Sequence, residues 1–356
     1  MMESPDNKIL QEDIEKAAFQ NLPLEDLKNA RVMVTGATGL IGSQVAKFLL
    51  SLNRLKQMNI TVLAFARSEE KAKKVFPYLE EEEHLELVLG DINRQIDYDG
   101  SVDYILHGAS ATSSKFFVSH PVETITTAID GTKLLLDFAK DKQVKGVVYL
   151  SSLEVYGTPD EQAGLIGEAD YGYIDPLSVR SSYSEGKRMV ECLCVSYAQE
   201  YGVPIKIARL SQTFGAGVEY DDGRVFAEFA RCAIEGKNIV LHTEGKTVRS
   251  YCYTMDAVTA LLTILVKGES GQAYNVTNMN TAISIYDMAK LVCQVVPDSE
   301  ITVERDIPED LASFGYNPEM IVRLDSSKLQ ALGWQPTVDL QEMYERLIAS
   351  MKATRS

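Results

Sequence analysis

The chain has 356 residues, 45% hydrophobic and 24% charged, which suits a globular protein with one large α/β domain and a smaller lobe. Its net charge of -16 argues against a nucleic-acid partner, which needs a basic surface. The five cysteines (Cys192, Cys194, Cys232, Cys252, Cys293) form no CxxC pair, the four histidines form no metal-ligand cluster, and no stretch approaches the roughly 18 uninterrupted apolar residues of a membrane span. The expectation is a reduced, cytoplasmic protein with no metal site and no membrane partner.

In chain order, residues 1–29 hold two short amphipathic stretches around Pro23, read as an N-terminal helical extension packed on the core. The opening residues are acidic and polar, unlike a signal peptide. RVMVTG (31–36) is an apolar run ending in glycine and predicts a buried strand, followed by a helix with Val45, Ala46, Phe48, Leu49 and Leu52 inward. Further strands are predicted at 60–67, 84–91, 102–110, 144–152 and 205–211, with helices over 121–141 and 183–202 between them. The Glu80–Glu83 run reads as a solvated helix end.

Strands alternating with helices predict a Rossmann-type, doubly wound parallel sheet over 30–211. Beyond 212 the pattern loosens. Short strands at 238–242 and 272–276 mix with helices at 223–236, 256–267 and 284–296, and a helix, a turn and a last helix close the chain. Residues 212–356 are therefore read mainly as a smaller α/β substrate lobe over the carboxyl edge of the sheet, with some segments free to return to the core.

Two motifs carry the chemistry. TGATGLIG sets Gly36, Gly39 and Gly42 between a strand and a helix. Glycines there let the backbone turn tightly and approach a pyrophosphate, and the helix start offers its free N–H groups. Tyr183 and Lys187 stand four apart on a predicted helix and so share a face. A phenol with an ordinary pKa of about 10 becomes a usable base only beside a positive charge such as the lysine ammonium. Tyr183 could then take a proton from a hydroxyl.

The GxxGxxG spacing and the YxxxK pair resemble the extended short-chain dehydrogenase/reductases, and TGATGLIG looks like that branch. The resemblance implies that Thr38, Leu40 and Ile41 join the three glycines around the cofactor, that Asp91 and Ile92 of GDI lie at the adenine, and that Gly108, Ala109 and Ser110 of HGAS back the nicotinamide ribose. It also implies cofactor contacts from Tyr183, Lys187 and Leu210. Arg67 stands near the place where NAD-binding members usually carry an acid. An arginine there can accept the 2′-phosphate of NADP or stack on the adenine of NAD. NAD is favoured because enzymes with a closed redox cycle usually retain it, and NADP stays open.

SSLEVYG (151–157) resembles the family's Ser/Thr-x-x-x-Tyr-Gly block, which makes Ser152 the catalytic hydroxyl and Tyr156 structural. Glu154 without a preceding acid, since Leu153 stands there, looks most like the UDP-glucuronate decarboxylases. So do DYGYIDPLSVRSSYSEGKRMVE (170–191), ARLSQTFG (208–215), DDGRVFAEF (221–229), TVRSYCYTMDAV (247–258) and LGWQP (332–336). The match implies substrate contacts from Ser152, Glu154, Arg180, Gln212, Arg224, Val225 and Arg249, the last clasping a diphosphate or a sugar carboxylate. Gln212 for the usual asparagine, Ala216 for the usual proline and Ala128 for a supporting asparagine depart from the pattern.

The implied activity is oxidation of a nucleotide-sugar at C4, loss of carbon dioxide from the keto-uronate, and return of the hydride. Epimerisation at C4 is the alternative, and a 4,6-dehydratase comes third because Leu153 cannot act as an acid. A plain NADP-linked carbonyl reductase and a non-catalytic NAD(P)-binding regulator are the readings outside that scheme. The family implies a homodimer joined through the Tyr183 helix.

Overall fold

The computed structural model describes residues 2–110, 114–160, 164–296, 300–308 and 319–355. The first half runs α1 (Lys8–Ala18), β1 (Arg31–Thr35), α2 (Leu40–Lys56), β2 (Thr61–Ala66), α3 (Glu69–Val75), β3 (Leu85–Leu89), β4 (Tyr104–His107), α4 (Ser114–Ser119), α5 (Pro121–Asp141), β5 (Gly146–Ser152), α6 (Ser181–Tyr201) and β6 (Ile205–Leu210). The second runs β7 (Gln212–Phe214), α7 (Val225–Glu235), β8 (Ile239–Leu241), β9 (Val248–Tyr253), α8 (Thr254–Lys267), β10 (Ala273–Val276), β11 (Asn278–Ser284), α9 (Ile285–Val295), β12 (Val303–Arg305), β13 (Ile321–Val322), α10 (Ser327–Gln330) and α11 (Leu340–Thr354).

Seven parallel strands form the main sheet in the order β10-β6-β5-β4-β1-β2-β3. Sequence order reverses between β1 and β4, which opens a crevice at the carboxyl ends of those strands, where ligands bind in such sheets. Burial follows the pleat. Val32 and Val34 of β1 join one core with Phe48 and Leu49 of α2, while Met33 joins the opposite core with Leu135 of α5 and Val190 of α6. All six residues of β6 are buried, as a strand covered on both faces requires.

The six strands and two long helices expected over 30–211 form within three residues of their expected ends, the largest shortfall being β4, which stops at His107 where 110 was expected. The second half contains a rearrangement. QAYNV, read as part of the lobe, supplies β10, which pairs with β6 and forms one edge of the large sheet. The helix expected at 256–267 is α8, which packs on α2 and β5 of the same layer. The lobe proper is a four-stranded sheet of β7, β9, β11 and β13 with a small parallel pair, β8–β12. A five-residue apolar run carries no local mark of which sheet it will join. The Glu80–Glu83 run lies in turns after α3 has ended, not at a helix end.

The N-terminal extension is one helix, α1, and a 3₁₀ turn at Glu25–Leu27, with α1 packed against α2, α8 and α11. Asn7 caps α1 by accepting from the Leu10 N–H at 3.1 Å, and its amide donates to Ser350 Oγ at 2.8 Å. Asp13, buried on the inner face, accepts from Tyr253 Oη and, at 2.8 Å, from Arg346 Nη1. Burial pushes its carboxyl up to about 6, against the opposing pull of those donors.

Candidate active site

The candidate cofactor residues line the carboxyl edge of the sheet. Gly36 follows β1 with φ +71°, a left-handed conformation in which a side chain is strained, and a Cβ there would sit 3.0 Å from Gly108 and Ala109 after β4. A Cβ on Gly42 would come within 2.3 Å of the Gly36 carbonyl oxygen, so α2 approaches the loop only because position 42 is glycine. No side chain caps α2, whose first turn holds Leu40, Ile41 and Gly42, beside the half-buried Thr38 and exposed Gly39. Its opening N–H groups are therefore left for a ligand. This cradle fits a dinucleotide pyrophosphate.

Gly108, Ala109 and Ser110 follow β4, half-buried, and the Ala109 N–H donates to Thr35 Oγ1 at 3.2 Å. Thr35 also lies 2.7 Å from Nδ1 of His107, whose Nε2 meets Thr132 Oγ1 at 3.1 Å. Burial pushes this imidazole down to about 3, so it is a neutral strut. Asp91, after β3, is half-buried and caps its own loop by accepting from the Asn93 N–H at 3.0 Å, and Ile92 is buried. Arg67 is exposed at the end of β2, and Leu210 is buried at the end of β6.

Four candidate catalytic residues meet at the end of β5 and the start of α6. Ser152 ends β5, hydrogen-bonds the Tyr183 phenol and accepts from the Glu154 N–H at 3.2 Å. Lys187 follows Tyr183 by one turn, is 3% exposed, and donates to the Leu150 carbonyl at 2.8 Å beneath the Tyr149 ring, 4.6 Å away. Burial pushes Tyr183 up to about 12, against the Ser152 hydrogen bond, and pushes Lys187 down to about 8, against the charge of Glu191. Both shifts show a pair held in a dry site, where an added charge has large effects.

Glu154 is held at both oxygens. Arg180 Nη2 donates to Oε1 at 3.0 Å and Ser184 Oγ donates to Oε2 at 3.0 Å. Arg180 thus reaches the acid, and its buried Nη1 has no hydrogen-bond partner among the described residues. Leu153 points the other way, into a small core with Val155, Tyr156, Ile166, Val322 and Leu324. Tyr156 is structural: its Oη donates to Asn275 Oδ1 at 2.6 Å.

The lobe residues come from three further elements. Gln212 opens β7, half-buried. Arg224 caps α7 and is committed to Asp222, through Nε at 2.9 Å and Nη2 at 2.5 Å, with the exposed Val225 beside it. Arg249, on β9, has no carboxylate partner among the described residues, and its Nη2 donates to the Met320 sulfur at 3.6 Å. Met320 packs on the core that carries Leu153, which ties the β9 guanidinium to the turn of Glu154. Ala216 is buried, its carbonyl accepting from Gln44 Nε2 at 2.7 Å, and Gly217 beside it adopts φ +86°. Ala128 packs near Gly186, where α5 meets α6.

Two residues at this site escaped the sequence reading. Ser184 adjoins Tyr183, but nothing in YSEGK marks its hydroxyl as facing Glu154. Phe117, on α4, stacks on the Tyr183 ring at 4.2 Å and 10°, lies 5.3 Å beneath the Arg180 guanidinium, and is anchored where Ser182 Oγ donates to its carbonyl at 3.2 Å.

Known proteins share this architecture. The sequence profile of the NAD dependent epimerase/dehydratase family matches residues 32–277. UDP-glucuronic acid decarboxylase 6 of Arabidopsis thaliana is 31% identical over 315 residues, covering 88% of this chain and 86% of the relative. UDP-glucuronic acid decarboxylase 1 of Xenopus tropicalis is 28% identical, covering 95% of this chain and 76% of the relative. In fold, the chain resembles a UDP-N-acetylglucosamine 4-epimerase of Methanobrevibacter ruminantium, with a TM-score of 0.76 at 20% identity over 92% of this chain and 99% of that one. With the profile spanning more than half of its length and relatives matching nearly end to end, the chain belongs to the NAD dependent epimerase/dehydratase family.

Proposed function

We propose that this protein is an NAD-dependent nucleotide-sugar enzyme working through a transient 4-keto sugar, with UDP-glucuronate decarboxylation as its reaction. The observation that carries the reading is the turn after β5: Glu154 faces the Tyr183 helix while Leu153 is buried in a separate core. A single carboxylate at this turn suits a decarboxylase, and the decarboxylase relatives support the same choice. A 4,6-dehydratase would need a second acid where Leu153 lies. NAD is the cofactor in the crystal structure of a dTDP-glucose 4,6-dehydratase from Bacillus anthracis, a fold neighbour. With Arg67 exposed, both readings of that residue remain structurally accessible.

When bound, NAD would supply a reversible acceptor for the sugar's hydride and a positive nicotinamide that favours the Tyr183 phenolate. Gly36, Gly39 and Gly42 with the α2 N-terminus would hold its pyrophosphate, and Asp91 and Ile92 would border its adenine. Tyr183 removes the proton from the C4 hydroxyl, with Ser152 hydrogen-bonded to the reacting oxygen and Lys187 supporting the phenolate. The ketone so formed is β to the C6 carboxylate. The C5–C6 bond breaks, carbon dioxide leaves, and the electron pair becomes an enolate on the C4 oxygen, stabilised by Ser152 and Tyr183. A proton returns to C5 near Glu154. Arg180, Arg249, Arg224, Val225 and Gln212 would hold the nucleotide-sugar, with Arg249 and the Nη1 of Arg180, without a hydrogen-bond partner among the described residues, matched to anionic groups.

A homodimer forms through α5 and α6, supported by the exposed Val122, Ile125, Met189 and Val195 on those helices. A strictly monomeric elution in gel filtration overturns that assembly. A reducing, cytoplasmic setting suits the five free cysteines.

Mass spectrometry of the protein incubated with UDP-glucuronate and NAD tests the reaction. Loss of carbon dioxide to a UDP-pentose supports decarboxylation. A product of unchanged mass that separates from the substrate indicates epimerisation, and untouched substrate with cofactor bound removes UDP-glucuronate as the substrate.

A further inference from the structure

Glu191 lies one turn beyond Lys187 on the buried side of α6, so Tyr183, Lys187 and Glu191 share a face at intervals of four. Its Oε1 accepts from Ser151 Oγ at 2.6 Å and from Arg209 Nε at 3.0 Å, and its Oε2 accepts from Arg209 Nη2 at 2.6 Å. The Arg209 and Glu191 side chains are 2% and 8% exposed. Arg209, on β6, also donates through Nη1 to Tyr156 Oη at 3.0 Å and to the Glu168 carbonyl at 2.7 Å, and through Nη2 to Tyr171 Oη. Ser151 and Tyr156 bracket the segment that bears Ser152 and Glu154. One buried ion pair therefore grips that segment at both ends and ties it to the helix of Tyr183.

We propose that Glu191, with Arg209, is a positioning residue of this active site, setting Ser152 and Glu154 against the Tyr183 helix and giving Lys187 its counter-charge. This inference rests on Tyr183 and Lys187 being the proton-transfer pair.

A buried ion pair alone is a weak argument for function, because desolvation offsets much of its attraction. The argument here is placement. Among the described residues, the groups facing Lys187 are few. His107 on β4 is neutral, β5 offers the Leu150 carbonyl and the Tyr149 ring, and α6 offers Tyr183, Cys194 and Glu191. Burial pushes the Tyr149, Tyr183 and Cys194 groups up, so they are uncharged near neutrality. Glu191 is the anion among them, and it works against the burial that pulls Lys187 down to about 8. Removing its charge makes Lys187 lose its proton at lower pH.

Two measurements test this. In lysine-¹³C-labelled protein, with the Lys187 signal identified by its loss in Lys187→Arg, the NMR titration midpoint of Lys187 falls by about one pH unit in Glu191→Gln. If that variant fails to fold because Arg209 is left unpaired, Glu191→Gln/Arg209→Met removes both charges and is read in the same way. An unmoved midpoint overturns the counter-charge role, and this readout needs no substrate, so it stands apart from the choice of sugar. Ser151→Ala cuts only the tie to β5. Its kcat falls about tenfold or more with KM and NAD affinity unchanged, and a kcat equal to that of the unmodified protein overturns the positioning role.

Discussion

The two walls of the cleft are made of different material. The proposed cofactor wall is main chain: Gly36 and Gly108 follow β1 and β4, whose register sets their spacing, and Gly39 and Gly42 open α2. The proposed substrate wall is long side chains on separate elements: Arg180 on the approach to α6, Arg224 before α7, and Arg249 on β9. Two of those arginines already hold an acid of the chain itself, Glu154 and Asp222. A backbone wall comes with the fold and tolerates almost no change. A side-chain wall can be rewritten one residue at a time, so it is where members of one fold acquire different substrates.

The comparison breaks most sharply where the walls meet. Tyr183→Phe removes the acid–base group and lowers turnover by about a thousandfold or more, while cofactor binding, followed by fluorescence, stays near that of the unmodified protein. Gly42→Val tests the backbone wall. Its Cβ would lie 2.3 Å from the Gly36 oxygen, so NAD affinity measured by calorimetry drops about tenfold or more and the melting temperature falls, since overpacking costs about 1–3 kcal/mol.

Arg249→Ala tests the side-chain wall: KM for the nucleotide-sugar rises about tenfold or more, and NAD affinity does not change. If NAD affinity falls as well, the walls are not independent. The smallest effect is expected at the far side of the lobe. Asp13 titrates near 6 when folded against 3.8 as a free side chain, so the folded protein binds more protons between those values. Stability therefore falls as pH rises through that window, by roughly 2–3 kcal/mol. Asp13→Asn flattens this slope in denaturant melts taken from pH 4 to 7, with turnover at neutral pH little changed.

The backbone wall was largely legible. Continuous apolar runs marked the parallel strands, the glycine spacing marked the loop, and four-residue spacing put Tyr183 with Lys187. The same spacing continues to Glu191, but a carboxylate one turn further along a helix reads as an ordinary polar face until Arg209 is seen to meet it. Arg180 was assigned to the substrate alone, and only the folded chain brings it to Glu154. Asp13 meets Tyr253 across 240 positions, and Phe117 reaches Tyr183 from another helix. Pairings of that kind leave no periodic trace, because they are set by how the layers close and not by any local run.

The place of β10 at the sheet edge has a consequence for how the molecule is made. A ribosome delivers β1 to β6 first, then β7, β9 and α8 of the second half, and only afterwards the strand that pairs with β6. Until then β6 presents an open edge, a template for mispairing with other chains. Asn275, arriving on β10, is also the acceptor for Tyr156 Oη and donates to the carbonyls of Ile166 and Asp325. A fragment ending at Ser211 would carry every proposed cofactor residue and still lack the strand and the amide that close its sheet. The nucleotide-binding half is thus completed late in synthesis, from a part of the chain that its own sequence pattern does not reach.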